Sequence, residues 1–440
     1  PHSNMRILHT ADLHLGQVIY QNYERRDEHR HFFNQLARWC RTYQPDALLV
    51  SGDVFDIQQP SATSKEAFAN QFMELHRQCP SMAMVITAGN HDSASRLQTE
   101  REVWQLANTH IIGTGPSIVA QEGWEEKFII RLKTGYVVAL PHMIGARREQ
   151  LQALLDKVAQ ENDEGKPVVM MGHTAVAGLD ATGHDFEIGK LKTQALSEFG
   201  EGYDYLALGH IHKPQTIGHQ EDCMKEEVSY PAPVVRYSGS ALHVSCDEAY
   251  PHTVSLVDID KHQGTVTVKQ LRIDELRHFH VLPHEGAYHS AEEAIAGVAQ
   301  FAKDHATGYF RLRVDYAVAL PSNFNQMVYD ELLAYGDEIR YNPKIIWEGQ
   351  AEERTDAMGK PTFEVAELQE MQNPMDFIEK TKDQYEHLDL DMVRKAFEEV
   401  EAEIVRMNEE EQATKKAKAC LFYTYDTDDE PHIIKLRRRT

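Results

Sequence analysis

Cysteine is scarce in this chain. The 440 residues include five cysteines, and no two of them form a C-x-x-C pair; they are Cys40, Cys79, Cys223, Cys246 and Cys420. An odd number without paired spacing argues against a disulfide scaffold and against a zinc site built from thiolates. We therefore expect a protein of a reducing compartment, the cytoplasm.

Long apolar runs, an ATP-binding loop and an excess of positive charge are also missing. No stretch of 18 or more apolar residues occurs, so no membrane span is predicted. No G-x-x-x-x-G-K-[ST] sequence is present, so the chain itself is not predicted to bind ATP. The net charge is −24, which does not favour binding to nucleic acid. Residues 350–411 carry half of this excess, with 19 acidic and 7 basic side chains, so the rest of the chain is less acidic than the total indicates.

What is present between residues 5 and 272 is an alternation of short apolar runs and helical stretches. The predicted strands are 6–8, 47–50, 83–87, 137–140, 168–171, 205–208, 234–237 and 254–257. The predicted helices include 28–42, 65–78 and 147–161. Several strands are apolar on both faces, as strands buried between two layers require. We predict a layered α/β sandwich, with two packed sheets flanked by helices, for residues 5–272.

The pattern changes after residue 272. Strands at 279–282, 309–315 and 344–347 alternate with helices at 290–303 and 323–335, which predicts a small α+β capping domain over 273–348. A polar linker follows at 349–372, and Asn373-Pro374 marks the start of a helical region over 373–412. A tail spans 413–440. Residues 391–407 form a narrow apolar stripe on an acidic helical arm, which must cover either its own domain or a partner.

Asp, Asn or His follows five of the predicted strands directly. The carboxyl ends of strands in open α/β sheets border the ligand crevice. The five groups are Asp12-Leu13-His14, Gly52-Asp53, Gly89-Asn90-His91-Asp92, Gly172-His173 and Gly209-His210-Ile211-His212. Imidazole and carboxylate without thiolate suit manganese, iron or zinc. Each group alone also fits a turn, a cap or a structural histidine, but all five in this order predict a divalent-metal site.

The series D-x-H, G-D, G-N-H-D, G-H and G-H-x-H resembles that of the calcineurin-like metallophosphoesterases. Longer stretches are similar to the SbcD nucleases: HTADLHLG at 9–16, GDVFD at 52–56, YLALGHIHK at 205–213 and YSGS at 237–240. The resemblance covers roughly residues 5–347. It implies a DNA nuclease of repair and recombination, located at the nucleoid.

The resemblance also implies the roles of individual residues. Two divalent ions, most often manganese, would be bound. One ion would be held by Asp12, His14, Asp53 and His212. The other would be held by Asp53, Asn90, His173 and His210. His91 would not bind metal but would stabilise the transition state or assist the leaving oxygen. Two such ions stabilise the attacking and leaving oxygens of a phosphodiester, so no serine or cysteine nucleophile is needed.

Partners are implied in the same way. We expect DNA contacts from Arg25, Arg26, Arg30 and Arg96, for which solvated helix faces are the alternative. We expect a homodimer through the helices that flank Asn90-His91, although ordinary core packing also explains their apolar residues. Those residues are Leu75, Leu97, Val103, Trp104 and Leu106. The acidic helical arm is expected to dock on the coiled coil of an SbcC-type ATPase, with packing on its own domain as the alternative.

Three functions fit the sequence. The first is a DNA nuclease that works with an ATPase. The second is a phosphoesterase that acts on nucleotides or phosphoproteins with the same metal site. The third is an inactive scaffold, which predicts missing ligands, whereas all seven candidate ligands and His91 are present.

Overall fold

The structure is a computed structural model that describes residues 4–20, 23–116, 122–142, 148–182, 193–222, 225–244, 248 and 250–349. The predicted linker beyond residue 349, the helical region 373–412 and the tail lie outside the described residues. Among the described residues, no helix is long and apolar enough to cross a lipid bilayer.

The described residues form strands and helices in alternation. The strands are β1 (Asn4–Thr10), β2 (Val18–Ile19), β3 (Tyr23–Glu24), β4 (Ala47–Ser51), β5 (Ala83–Thr87), β6 (Thr109–Ile112), β7 (Ile129–Arg131), β8 (Tyr136–Ala139), β9 (Val168–His173), β10 (Tyr205–Gly209), β11 (Gln215–Thr216), β12 (Glu227–Pro231), β13 (Val234–Tyr237), β14 (Thr253–Asp260), β15 (Thr265–Arg272), β16 (Phe279–Leu282), β17 (Gly308–Asp315) and β18 (Ile339–Glu348). The α-helices are α1 (Arg26–Tyr43), α2 (Ala62–Gln78), α3 (Ala94–Leu97), α4 (Arg101–Gln105), α5 (Arg148–Glu161), α6 (Ala291–Asp304) and α7 (Phe324–Leu332).

Two mixed sheets form the larger part of the fold. The first has the order β12-β15-β14-β1-β4-β5-β6, and the second has the order β11-β13-β10-β9-β8-β7. Strands β1, β4, β5 and β6 run parallel, as do β8, β9, β10 and β13. All eight strands predicted between residues 6 and 257 are present, and the predicted α/β class is confirmed.

The alternation of side chains along each strand explains how the layers pack. Ile7 of β1 and Leu49 of β4 belong to the core that includes Val169 and Leu206 of the second sheet. Neighbouring residues on β1 and β4 point the other way, into a second core formed with helices α1 and α2. The strands are therefore buried on both faces, which accounts for their continuous apolar sequence.

The small α+β unit has a parallel sheet of its own, ordered β16-β17-β18. Helices α6 and α7 connect these strands and share one apolar core with them. Helix α6 begins after Ser290, whose hydroxyl accepts the backbone N–H of Glu293, as a helix N-cap does. We call this unit (residues 279–348) the cap.

A buried network of charges joins the cap to helix α1. The carboxylate of Glu28 accepts two hydrogen bonds from Arg25, at 3.1 Å each. The same carboxylate accepts from the Tyr309 hydroxyl at 2.7 Å and from Nη1 of Arg340 at 3.1 Å. We call these four residues the Glu28 hub. Because Tyr309 and Arg340 belong to the cap, the hub fixes the cap against the first turn of α1.

Candidate metal centre

The side chains that follow β1, β4, β5, β9 and β10 meet at one edge of the sandwich. Within each sheet these strands are parallel neighbours, so their carboxyl ends lie together. The two edges are joined by hydrogen bonds, because the backbone N–H of His210 donates to both carboxylate oxygens of Asp12 at 3.0 and 3.1 Å. The structure thus brings together all seven ligand residues that the sequence predicts.

The backbone at this edge adopts conformations that L residues rarely use. Asp12, His14, Asp53 and His210 have φ angles of 51°, 45°, 47° and 95°. Such left-handed geometry costs about 1–3 kcal/mol per residue and is typical of functional sites. Hydrogen bonds hold it in place: the N–H of Asp12 donates to Gly52 O, and that of His14 donates to Asp53 O, both at 3.0 Å.

One group of potential ligands consists of Asp12, His14 and His212. Their ligand atoms lie within 4.8 Å of one another, and all three side chains are buried. Nε2 of His14 is buried without a hydrogen-bond partner and lies 3.9 Å from Oδ2 of Asp53. A buried nitrogen lone pair without a donor is destabilising, and a cation in this position would satisfy it.

The second group is centred on the side-chain oxygen of Asn90. Oδ1 of Asn90 lies 2.9 Å from both Nε2 of His173 and Nδ1 of His210. Nε2 of His173 is also 3.3 Å from Oδ2 of Asp53. Two ligand atoms bound to one cation at about 2.1 Å lie about 3 Å apart in octahedral geometry, so this spacing fits an ion.

Asp53 belongs to both groups, since the same oxygen approaches His14 and His173. The nitrogen and oxygen donors include no thiolate, which suits manganese, iron or zinc. The residues present therefore fit a pair of divalent cations that share one carboxylate.

Three of the histidines are oriented by hydrogen bonds from their other ring nitrogen. Such bonds fix the tautomer and direct Nε2 toward the metal position. The bonds run from Nδ1 of His14 to Asp56 Oδ1 (3.2 Å), from Nδ1 of His173 to Ser51 O (2.8 Å) and from Nδ1 of His212 to Glu248 Oε1 (2.8 Å).

Sequence reasoning assigned no role to Asp56 or Glu248. Asp56 stands in the GDVFD stretch, so its place beside a ligand motif was an available signal. Glu248 belongs to no motif, and it lies 36 residues beyond His212. No signal in the sequence alone identifies it.

Asp92 fixes the two loops that carry Asp53 and Asn90. Its buried carboxylate accepts the backbone N–H groups of Val54 (3.0 Å), Phe55 (2.8 Å) and Gly89 (2.8 Å). Because these contacts of Asp92 are to backbone groups, its role in the G-N-H-D motif is to hold the loops rather than to bind a cation.

The buried charges of the site are strongly coupled. Burial would raise the pKa of Asp53, but the neighbouring His173 outweighs it and lowers that pKa below its usual range. Burial would lower the pKa of His173, but Asp53 and Asp12 outweigh it and raise that pKa to about 9. Without a metal, a proton on His173 therefore balances the carboxylates, and a cation would take the place of that proton.

His91 differs from the ligand residues because its ring is exposed. Nδ1 of His91 donates to the carbonyl oxygen of Asp56 at 2.8 Å, and the ring lies 4.9 Å from the ring of His14. Its backbone N–H donates to Oδ1 of Asp53 at 2.8 Å. The carbonyl of Asp56 thus fixes the proton on Nδ1 and leaves Nε2 available to a substrate beside the metal positions.

Residues 5–214 match the family model described as calcineurin-like phosphoesterase. The chain carries a calcineurin-like phosphoesterase domain.

Curated relatives of this phosphoesterase are similar over more of its length. The chain is 31% identical to the SbcD component of nuclease SbcCD from Escherichia coli strain K12 over 275 residues, which cover 57% of this chain and 65% of that protein. It is 31% identical to the protein of the same name from Rhodobacter capsulatus over 288 residues, 58% of this chain and 66% of that protein. The Bacillus subtilis protein of that name is 28% identical over 282 residues, again 58% and 66%. The similarity thus spans slightly less than two thirds of these relatives.

The arginines expected to contact DNA have different surroundings in the phosphoesterase. Arg25 is buried: besides Glu28 it donates to Oε1 of Gln17 at 2.8 Å and to the carbonyl of His243. The expectation that Arg25 faces DNA is therefore replaced by a structural role in the Glu28 hub. Arg26, Arg30 and Arg96 are exposed.

The apolar residues expected at a homodimer interface also divide into two classes. Leu75 is buried in the core beneath α2, and Leu97 and Trp104 pack partly against that core. Val103 and Leu106 are 66% and 86% exposed. Of these five residues, only the last two present most of their apolar surface to another molecule.

Proposed function

We propose that this chain is a manganese-dependent DNA nuclease, an SbcD-like subunit that acts in DNA repair and recombination. It would act as an exonuclease on double-stranded ends and as an endonuclease on hairpin or single-stranded DNA. One observation carries the proposal: two groups of nitrogen and oxygen ligands, free of thiolate, converge on the shared carboxylate of Asp53. That arrangement suits a two-metal phosphodiesterase.

The two ions would be divided as the resemblance implies. One would be held by Asp12, His14, Asp53 and His212, and the other by Asp53, Asn90, His173 and His210. When bound, two divalent cations neutralise the phosphodiester and make water a stronger nucleophile. The chain contributes the order of the site, through Asp56, Asp92 and Glu248, and strained backbone that aims the ligands inward.

His91 would act on the substrate directly. Its proton on Nδ1 is committed to the Asp56 carbonyl, so Nε2 is the atom that meets a phosphate or leaving oxygen. In its cationic form the ring would donate a hydrogen bond from Nε2 to the departing oxygen. Such general-acid assistance contributes about 10²–10⁴-fold to rate.

DNA is favoured over small phosphoesters because the curated relatives are named nucleases and because exposed arginines follow two of the ligand motifs. Arg26, Arg30 and Arg96 would contact backbone phosphates, which supply affinity without sequence preference. We further propose an SbcC-type ATPase partner and a homodimer through the helices around Val103 and Leu106. The complex would work on the nucleoid in the cytoplasm.

The test compares three proteins with manganese on linear DNA, hairpin DNA and a nucleotide monoester. The proteins are the wild type, His91→Ala and His262→Ala, the last removing an exposed histidine outside the site. We expect the wild type and His262→Ala to cut DNA equally. His91→Ala should lose about 10²–10⁴-fold in rate while it still binds manganese.

The alternative function has its own signature in the same experiment. If no protein cuts DNA while the wild type hydrolyses the nucleotide monoester rapidly, the chain is a phosphoesterase of small substrates. Loss of manganese binding in His91→Ala would instead make His91 a ligand, contrary to its assignment.

A further inference from the structure

Glu248 is a buried carboxylate beside the metal centre, and each of its oxygens accepts a hydrogen bond. Oε1 accepts the Nδ1 proton of His212 at 2.8 Å, and Oε2 accepts the backbone N–H of Val244 at 3.1 Å. The residue is 3% exposed. Because both oxygens are engaged, a shift of the backbone at Val244 would move the acceptor that orients His212.

The residue before Val244 connects the same backbone to the cap. The carbonyl oxygen of His243 accepts a hydrogen bond from Arg25. The ring of His243 packs 4.6 Å from the ring of Phe279, the first residue of cap strand β16. Phe279 in turn stacks on Tyr309 at 4.6 Å with nearly parallel rings.

Arg25 is itself fixed by cap residues through the Glu28 hub. The hydroxyl of Tyr309 and the guanidinium of Arg340 both donate to the carboxylate that holds Arg25. Both contacts of His243, one through its carbonyl and one through its ring, therefore depend on the position of the cap.

We propose that Glu248 is the positioning residue for the ligand His212, and that the His243–Val244 backbone transmits the position of the cap to it. The inference rests on the proposed function in one respect, that His212 binds a cation. It adds that the cap sets the affinity of one of the two metal sites. A purely structural Glu248 would affect folding alone, whereas a positioning residue changes metal affinity at one site.

Manganese binding to the metal-free protein, followed by titration calorimetry, separates these roles. The wild type should bind two ions, and His212→Ala identifies which class of sites contains His212. Glu248→Ala should weaken that class by about 10–100-fold, the usual effect of removing a carboxylate behind a histidine ligand. The other class, built on Asn90, should keep its affinity.

A conservative variant provides the rescue. Glu248→Gln retains an oxygen that can accept from His212 but loses the acceptor for Val244. Its loss of affinity should fall between those of the wild type and Glu248→Ala. Equal losses in both variants would contradict positioning by geometry.

The cap end of the connection is tested by a matched pair of variants. Phe279→Leu removes the ring that packs on His243, whereas Phe301→Leu removes a ring from the cap core that contacts His280, His305 and Phe310. We expect Phe279→Leu to weaken the His212 class by about 2- to 30-fold, the range found for residues along coupled networks. Phe301→Leu should lower the melting temperature without this change in affinity.

The possible results distinguish the two proposals. If the wild type binds no manganese, the proposed function fails. If it binds two ions and Glu248→Ala has the same isotherm, the function stands and the positioning role is wrong. If Phe279→Leu and Phe301→Leu weaken binding equally, the cap acts through general stability and the transmission is wrong.

Discussion

The substitution Glu28→Gln should destabilise the fold far more than its small change in size indicates. Glu28 is 3% exposed and lies among the guanidinium groups of Arg25 and Arg340. Glutamine preserves the shape but removes the negative charge and one acceptor. Arg25, also buried, would be left without its carboxylate partner.

Breaking a buried ion pair by removing one partner costs about 3–5 kcal/mol. The free energy of unfolding of a typical domain is about 5–15 kcal/mol, so the loss would be a large fraction of the total. The pH dependence should change as well. Burial would raise the pKa of Glu28, but Arg25 outweighs it and lowers that pKa below 4.5. The stabilisation is therefore present above pH 4.5, and it is lost as pH falls through the folded pKa.

Urea denaturation of the wild type, Glu28→Gln and Glu161→Gln measures this cost. Glu161 is a matched control because it also accepts two hydrogen bonds from one arginine, Arg131, but at the exposed surface. We expect Glu161→Gln to cost less than about 1 kcal/mol. Equal costs for the two substitutions would refute the view that buried charge holds the cap in place.

Three further predictions concern the site and its surroundings. Gly52→Ala should abolish manganese binding measured by calorimetry, because the φ of Gly52 is +86° and a Cβ there would lie 2.1 Å from Nδ1 of His173. Glu275→Gln should remove a loss of stability that urea denaturation detects in the wild type as pH rises from 4.5 to about 7. Burial raises the pKa of Glu275 to about 7, so the folded state releases its proton at a higher pH than the unfolded state does. Arg26→Ala and Arg30→Ala should each weaken DNA binding and lower the salt dependence of affinity by about one ion, as measured by titration over a range of salt concentrations.

Each of these predictions has a result that contradicts it. Gly264→Ala is the control for Gly52→Ala, because its φ is also positive, at +65°, but a Cβ there meets no atom within 4 Å. Equal manganese binding in the two alanine variants would show that the approach to His173 is unimportant. A wild type whose stability is flat across the stated pH range would contradict the burial of Glu275. Unchanged salt dependence would return Arg26 and Arg30 to ordinary surface residues.

The strands and the ligand motifs could be predicted because both depend on local sequence. A strand buried on both faces must be apolar throughout, as 83–87 is, and the predicted bounds match β5. The ligands directly follow such strands, so finding the strand also finds Asp53 or Asn90. Strands at the sheet edges, such as β12 with its pattern of exposed and buried residues, lack this signal, and β12 is absent from the predicted strands.

Contacts between distant residues explain what the sequence does not predict. Arg25 looks like a surface residue because its partners are remote: the Tyr309 that shares Glu28 with it lies 281 residues beyond that glutamate. The segment 213–236 also has no role that its sequence predicts. It supplies β11 and most of β13 to the second sheet and β12 to the first, so it builds both sheets.

The ligands of each proposed ion come from both sheets, which has a thermodynamic consequence. Asp12, His14, Asp53 and Asn90 follow strands of the first sheet, and His173, His210 and His212 belong to the second. An ion held by such a set is a crosslink between the two halves of the sandwich, and it is lost when the halves separate. Ligand linkage then adds about 2.7 kcal/mol to the free energy of unfolding when free manganese is about 100 times its dissociation constant. Chelation should therefore lower the melting temperature, so that the catalytic cofactor also serves as a fastener of the fold.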